Sequence, residues 1–421
     1  MQFGLLPKKK IGKIFLCLGI FLFPLFSCLY IVSIYSSGLI NEKLSLIVLL
    51  IAVFSFLMLI VGIIFIIIGK DTTKKLKLPF KIILGLFAIV WTVGGYTVVG
   101  LLYWPGTGFK NWLITTAMTT MNHKYLATWF YDEYDINQVL AYNYVVESGE
   151  DTDPNLIDFT EPNFSQTTFK NEYEKEVLTK DEGNDLYKII DIKRSKFKGK
   201  LAVIYDPSKV KLGVSKGIGT SLEGSYGEFI TEIAKRYNAV LATNASGFYD
   251  PDWNSRGGVP HGPVISDGKL ITNYKRLPAG GGIVGFDKNN KLILSRMTAE
   301  QALKAGIRDA VDFGPFLIVN GKSSFVKGNG GWGDAPRTAI GQREDGIVLL
   351  LVIDGRQTGS IGADMNDLTQ VMLDYGAINA ANMDGGTSTA MELNGDIISN
   401  PRNGAFKAKT RPVPNAWIVV R

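Results

Sequence analysis

Cysteine is almost missing from this 421-residue chain: Cys17 and Cys28 stand alone, both inside an N-terminal apolar run. Eleven positions apart on a helix means about 16 Å, too far for the two to bridge each other. The rest of the chain has no thiol, which excludes a thiol nucleophile, a zinc-thiolate site or a disulfide framework there. Histidine is as scarce, with only His123 and His261. Of these, His261 alone falls in the part that reads as globular, so a metal site or relay needing two histidines is excluded there. No Gly-x-Ser-x-Gly elbow and no Gly-x-x-x-x-Gly-Lys-Ser/Thr phosphate loop occurs. No repeat of fixed period is visible.

Apolar sequence is concentrated at the N-terminus. Ile11–Tyr35, Leu44–Gly69 and Pro79–Trp104 are each long enough to cross a bilayer, which takes about 20 apolar residues. Lys8, Lys9, Lys10 and Lys13 precede the first run, and Lys70, Lys74, Lys75, Lys77 and Lys81 cluster before or at the start of the third. Positive charge favours the cytoplasmic side. The expectation is three transmembrane α-helices, a cytoplasmic N-terminus, a multi-pass cell-membrane protein and an extracytoplasmic C-terminal domain. Residues 1–104 hold ten Lys and two acids, a net of +8, so the remainder carries 6 − 8 = −2. The basic balance thus belongs to the membrane part, and nucleic acid is not an expected partner.

Composition divides the rest in two. Residues 105–185 read as juxtamembrane amphipathic helices, rich in Trp112, Tyr125, Trp129 and Tyr134, followed by a polar linker over 147–185. Residues 186–421 read as one globular domain. Strand-like runs recur at Leu201–Tyr205, Ala239–Thr243, Gly282–Phe286, Leu292–Leu294, Phe316–Val319, Ile347–Ile353, Ala377–Met383 and Trp417–Val420. Helical signals are few: Ser225–Tyr237, a capping box at Thr298–Gln301, and Asn366–Tyr375 stopped by Gly376. The fold class is α+β, with a mixed, largely antiparallel sheet and few helices.

Polar and glycine residues gather at the ends of these strands, where a scaffold presents a site. Asp384-Gly385-Gly386-Thr387-Ser388-Thr389 follows a buried run, and its glycines permit a sharp turn and close approach of a ligand. Consecutive N–H groups in such a turn can face an anion. Asp312, Asp354 and Asp384 supply carboxylates, Arg337 and Arg356 supply guanidiniums, and His261 is the lone imidazole. Carboxylates act at anomeric carbons, and arginines grip phosphate in a planar fork. The combination suits a sugar-phosphate ligand. Each residue also has a plain structural role open to it: a turn cap for Asp354 or Asp384, a closed loop for Asp312, a surface ion pair for Arg337.

Seven motifs, in order, resemble the phosphodiester glycosidase family. They are Asn244-x-x-Gly-Phe, Gly262-x-Val-Ile-Ser-Asp-Gly, Gly314-Pro315-x-Leu317, Pro336-Arg337-Thr338-Ala-Ile-Gly341, Asp354-Gly355-Arg356, Asp384-Gly385-Gly386-x-Ser388-Thr389 and Arg411-Pro412-Val413-x-Asn415. Thr387 departs from the pattern where a third glycine is common, and Ala390 where Thr is common. The resemblance implies hydrolysis of a sugar C1–O bond to phosphate. It implies a membrane-anchored enzyme of cell-wall polymer or exopolysaccharide metabolism, with a glycan or sugar-phosphate polymer as substrate and the lipid bilayer as anchor. Asp384, Asp354, Asp312 and His261 would be catalytic. Arg337, Thr338, Arg356, Asn244, Gly385, Gly386, Ser388 and Thr389 would bind substrate or phosphate. A divalent cation between carboxylates and phosphate fits the residue set, though no ligand spacing demands one. The same loops would serve a non-catalytic binding module for phosphate-containing glycans, or a glycosyl transferase in exopolysaccharide assembly.

Overall fold

The run Val348–Ile353 is wholly buried, because strand alternation divides it between two cores. Val348, Leu350 and Val352 join a core with Leu241, Phe286 and Trp417. Leu349, Leu351 and Ile353 point to a second core with Leu368, Val371 and Met372. In this computed structural model the strand lies inside a seven-stranded sheet. Its order is Lys322–Ser323, Phe316–Val319, Ala377–Met383, Arg337–Arg343, Val348–Ile353, Lys198–Ile204, Tyr187–Lys193. The structure describes residues 8–35, 49–57, 59–61, 64, 78–103, 108–120, 123–159, 164–251, 255–275, 281–403 and 409–421.

Two five-stranded sheets and a two-stranded pair, Tyr144–Val146 with Phe325–Lys327, complete the domain among the described residues. One runs Lys269–Asn273, Pro263–Ser266, Ile307–Phe313, Gly282–Asp287, Leu292–Ser295. The other runs Asp396–Ile397, Met391–Leu393, Ala239–Asn244, Asn415–Val420, Val210–Val214. The pairings within all four sheets are antiparallel among the described residues. An α+β domain with antiparallel sheets and few helices is therefore what forms.

The capping boxes act as their sequences suggest. Thr298 accepts from Gln301 N and opens Ala299–Lys304, and Asp364 accepts from Asp367 N to open Met365–Asp374. The helix expected over Ser225–Tyr237 is shorter, Ile230–Arg236. Gly227 is the reason: a Cβ there would lie 2.6 Å from the Gly257 carbonyl oxygen, and Glu228 bridges to Val413 in extended form. Strands Tyr187–Lys193, Val210–Val214, Ile307–Phe313 and Arg337–Arg343 form where the sequence pattern is too polar or too short to announce them.

Residues 1–117 and 124–139 form a separate unit. Within it Lys8–Tyr35 and Leu78–Tyr103 are helices. Among the described residues, Ile11–Ile31 is the one helix long and apolar enough to cross a membrane; Leu49–Val61 and Val90–Tyr103 are shorter apolar stretches. The expectation of three spans is corrected to one N-terminal helix of sufficient length. Much of the expected second span, and Lys70 to Lys77, lies outside the described residues.

The polar stretch 147–185 departs from a solvated linker. Glu147, with a side chain only 5% exposed, accepts from the backbone N–H groups of Gly281 and Phe316, each at 2.8 Å, and pairs with Arg296. Thr152 exchanges hydrogen bonds with Leu294 at 3.0 Å in both directions. Asp158 N donates to Glu344 O at 2.8 Å. The helix Glu172–Leu178 buries Val177 and Leu178 in the second core. Glu147 and Thr152 thus satisfy backbone groups of the domain, while Asp158 joins it through its main chain and stays exposed. Glu147→Ala is expected to lower unfolding stability of the domain by about 3–5 kcal/mol, because three donors lose a buried partner; the midpoint of a denaturant titration measures it.

Candidate active site

Strand register brings the expected residues to one sheet edge. Arg337 pairs with Ile353 and Thr338 with Met383. Asp354 and Asp384, each one residue beyond those strands, therefore flank Arg337 on either side. They lie two strand spacings apart, on the order of 10 Å. Asp384 N donates to Ala245 O at 3.0 Å, which ties this edge to the end of Ala239–Asn244 in another sheet.

Asp384 is a desolvated carboxylate. Burial pushes its acid up to about 6, against the Ser388 hydroxyl, the Arg411 guanidinium and the Gly385 N–H, which favour the anion. Arg411 also pairs with Asp250 and lies 4.4 Å over the Phe248 ring. Neither Arg411 nor Asp250 was expected as a neighbour of Asp384, although Arg411 heads one of the motifs.

The two expected arginines converge on the glycine turn. Arg337 is 4% exposed. Its Nε donates to Ala363 O at 3.0 Å, and its Nη2 to Trp332 O at 2.5 Å and Gly333 O at 2.7 Å. Nη1 has no acceptor among the described residues, and a Cβ on Gly385 would lie 3.5 Å from it. Arg356, at φ +59°, donates from Nη1 to the Thr387 hydroxyl at 3.2 Å. A Cβ on Gly386 would lie 3.1 Å from Arg356 Nη2. Thr387, the departure from the family pattern, thus supplies the hydroxyl that holds Arg356. Burial and the charge of Arg356 push Arg337 down to about 10, and burial also lowers Arg356. Among the described residues neither arginine has a carboxylate in ion-pair contact. Two desolvated cations facing one turn, with no carboxylate in ion-pair contact among the described residues, have the chemistry to take a phosphate.

Several expected ligands have other work. Asn244 is fully buried; its amide donates to Asp384 O at 2.6 Å and its Oδ1 accepts from the Thr338 hydroxyl at 2.8 Å and Ala390 N at 3.2 Å. Asn244 and Thr338 therefore brace the Asp384 turn through these bonds. Thr389 is 1% exposed, and Ser388 bonds to the Asp384 carboxylate. The expected row of free N–H groups is also absent at this turn: Gly386 N donates to Pro336 O at 2.8 Å, and Gly385 N serves Asp384. The glycines matter because they lack a Cβ, which lets both guanidiniums approach.

Asp354 accepts from Asn400 N at 2.8 Å, and burial raises its acid. It anchors the Asn400 loop. Asp312 packs under Gly262, where a Cβ would lie 2.3 Å from the Asp312 Cβ. His261 Nδ1 lies 3.3 Å from Lys275 O, and burial lowers its pKa. His261 N donates to Gly247 O at 3.0 Å, so Asp312 and His261 adjoin the 244–247 loop.

The sequence reading passed over two features. One is the loop Gly328-Asn329-Gly330-Gly331-Trp332-Gly333, whose carbonyls hold Arg337; its glycine density was the available signal. The other is a group of carboxylates, Asp334, Asp364 and Asp367, with oxygens within 4.8 Å of one another. Lys196 Nζ sits among them at 2.9, 3.5 and 2.6 Å. An ammonium thus fills the place a cation would take, and the group reads as an ion-pair knot.

Residues 237–420 match the family model described as phosphodiester glycosidase. The chain is 33% identical over 189 residues to an uncharacterized SPbeta prophage-derived protein, YomE, of Bacillus subtilis strain 168, covering 43% of this chain and 28% of that protein. It is 38% identical over 65 residues to the Bos taurus N-acetylglucosamine-1-phosphodiester alpha-N-acetylglucosaminidase, covering 15% of this chain and 12% of that one. The chain thus spans less than a third of these relatives. The catalytic domain of the zebrafish enzyme of that name, auto-inhibited by its pro-peptide, has a TM-score of 0.47 at 21% identity, covering 57% of this chain and 86% of that one.

The raised acid of Asp384 has a consequence for stability. The folded state binds its proton more tightly than the unfolded chain, whose value is near 3.8. Stability therefore falls as pH rises from about 4 to about 6, by at most about 3 kcal/mol, less where solvent reaches the carboxylate. Asp384→Asn is expected to raise the melting temperature at pH 8 and to leave it nearly unchanged at pH 4, as read by thermal denaturation.

Proposed function

We propose that the domain is a hydrolase of glycosyl phosphodiesters. The observation that supports this most is the pair of desolvated arginines, Arg337 and Arg356, meeting at Gly385–Gly386 beside the desolvated carboxylate of Asp384. In this reading the phosphodiester lies against Arg337 Nη1 and Arg356. Asp384 acts at the anomeric carbon, as nucleophile or as base for water. The C1–O bond to phosphate breaks and its electron pair leaves on the phosphate monoester. Water supplies the oxygen that ends on C1, and its proton leaves through the carboxylate. Charge grows on the phosphate oxygen, where guanidiniums fixed in a poorly hydrated site act most strongly. A phosphate monoester is a good leaving group, so a strong general acid is not required. Asn244, Thr338, Ser388 and Thr389 shape the turn in this scheme, and Asp354 holds the neighbouring loop.

We infer further that the Ile11–Ile31 helix tethers the domain to a membrane, with the lysine-rich N-terminus inside and the domain outside. Its apolar length and the positive charges before it support this. Sugar-1-phosphodiester linkages of cell-wall polymer or exopolysaccharide are the substrates within reach of such a domain.

Full-length protein incubated with an N-acetylglucosamine 1-phosphodiester tests the reading. Free reducing sugar should appear, with phosphate left on the acceptor. Asp384→Asn and Arg337→Ala should each lower the rate by at least about 100-fold. If both variants are folded and fully active, the assignment is wrong; affinity for the diester without turnover would point instead to a binding module. The wild-type rate should also fall with pH below about 6, about tenfold per unit, because the active form of Asp384 is the anion.

A further inference from the structure

The grip on Arg337 is only as firm as the loop that offers two of its carbonyls. In that loop Gly328, Gly330, Gly331 and Gly333 have φ between +57° and +79°. Such a backbone has wide conformational freedom by itself, so an outside contact has to fix it.

Asn143 makes that contact. Its Oδ1 accepts from Asn329 N at 3.1 Å, and the Asn329 side chain in turn accepts from Gly331 N at 3.1 Å. A Cβ on Gly328 would lie 2.0 Å from Asn143 Oδ1, and one on Gly331 would lie 2.5 Å from the Asn143 carbonyl oxygen. The loop wraps Asn143 so closely that only glycine fits at both places. Asn143 itself is 4% exposed. The strand directly after it, Tyr144–Val146, pairs with Phe325–Lys327 and fixes the near end of the loop. Thr119 adds a second outside contact, donating its hydroxyl to Trp332 O at 3.1 Å, the carbonyl that also accepts from Arg337 Nη2. Both residues lie before the family-matched segment 237–420.

We propose that Asn143 is a positioning residue of the anion site. Through the glycine loop it sets where the Trp332 and Gly333 carbonyls hold the Arg337 guanidinium, and so where Nη1 meets phosphate. Thr119 supports the same carbonyl. The segment ahead of the family domain is then a working part of the site and not only its tether. This rests on the phosphodiester reading above.

The test uses full-length protein hydrolysing an N-acetylglucosamine 1-phosphodiester, with inorganic phosphate as competitor. In Asn143→Ala the KM and the phosphate inhibition constant should both rise about tenfold, the effect of misaligning one charge-assisted hydrogen bond. The kcat should fall about tenfold as well, because Arg337 acts on charge that grows in the transition state. Thr119→Val, at an exposed hydroxyl, should raise the same two constants about two- to threefold. A lower melting temperature with both constants unchanged would reduce Asn143 to a structural residue and overturn the proposal. If Asn143→Ala does not fold, unchanged constants in Thr119→Val overturn it. Wild-type protein that neither cleaves the diester nor binds phosphate sinks the phosphodiester reading, and the proposal with it.

Discussion

Arg337 gives Nε and Nη2 to three main-chain carbonyls, those of Ala363, Trp332 and Gly333. Carbonyls orient a guanidinium without neutralising it, so its delocalised charge is kept while Nη1 has no acceptor among the described residues. Everything else near the turn follows from keeping that charge in place. Gly385 must lack a Cβ, the Trp332 loop must bend through left-handed angles, and Arg337–Arg343 must pair between two strands whose ends carry carboxylates. A carboxylate in direct contact would have held the side chain as well, but would have consumed the charge.

The sequence made part of this legible. The buried run before Asp384, the central strand before Asp354 and the two capping boxes are local patterns, and each formed nearly as expected. Asp384, Arg337 and Arg356 were also readable as a group, because they fall in successive motifs at strand ends, although Asp384 and Arg337 each had a plain structural role open to them alone. What stayed hidden was the division of labour. Asn244 looks like a ligand residue in its motif, yet it braces the turn by bonds to Asp384, Thr338 and Ala390. Those partners are 94 to 146 positions away, a separation that no local pattern encodes. The N–H groups of Gly385 and Gly386 likewise looked available until the Pro336 carbonyl and the Asp384 carboxylate were seen to take them.

The polar stretch before the domain was misread for a related reason. Few apolar residues ordinarily mean a solvated chain. Here Glu147, Thr152 and Asp158 meet backbone donors and acceptors at strand ends and loops of the domain. A polar segment can be well ordered when its bonds go to main-chain groups that would otherwise lack partners. Composition counts side chains, and it cannot see which backbone groups a fold leaves unpaired.

The acid knot behind Arg337 completes the electrostatic argument. Burial and Arg356 disfavour the charged guanidinium, while Asp364, Asp334 and Asp384 favour it, and the balance at about 10 keeps Arg337 protonated at neutral pH. Asp334, Asp364 and Asp367 spend part of their charge on Lys196. The backbone around Ala335 and Ala363, which bridge to each other, stands beside the guanidinium. The acids therefore act at a distance, strongly enough to sustain the cation and too weakly to neutralise it. The result is a buried cation that the fold sustains without an ion pair in direct contact among the described residues.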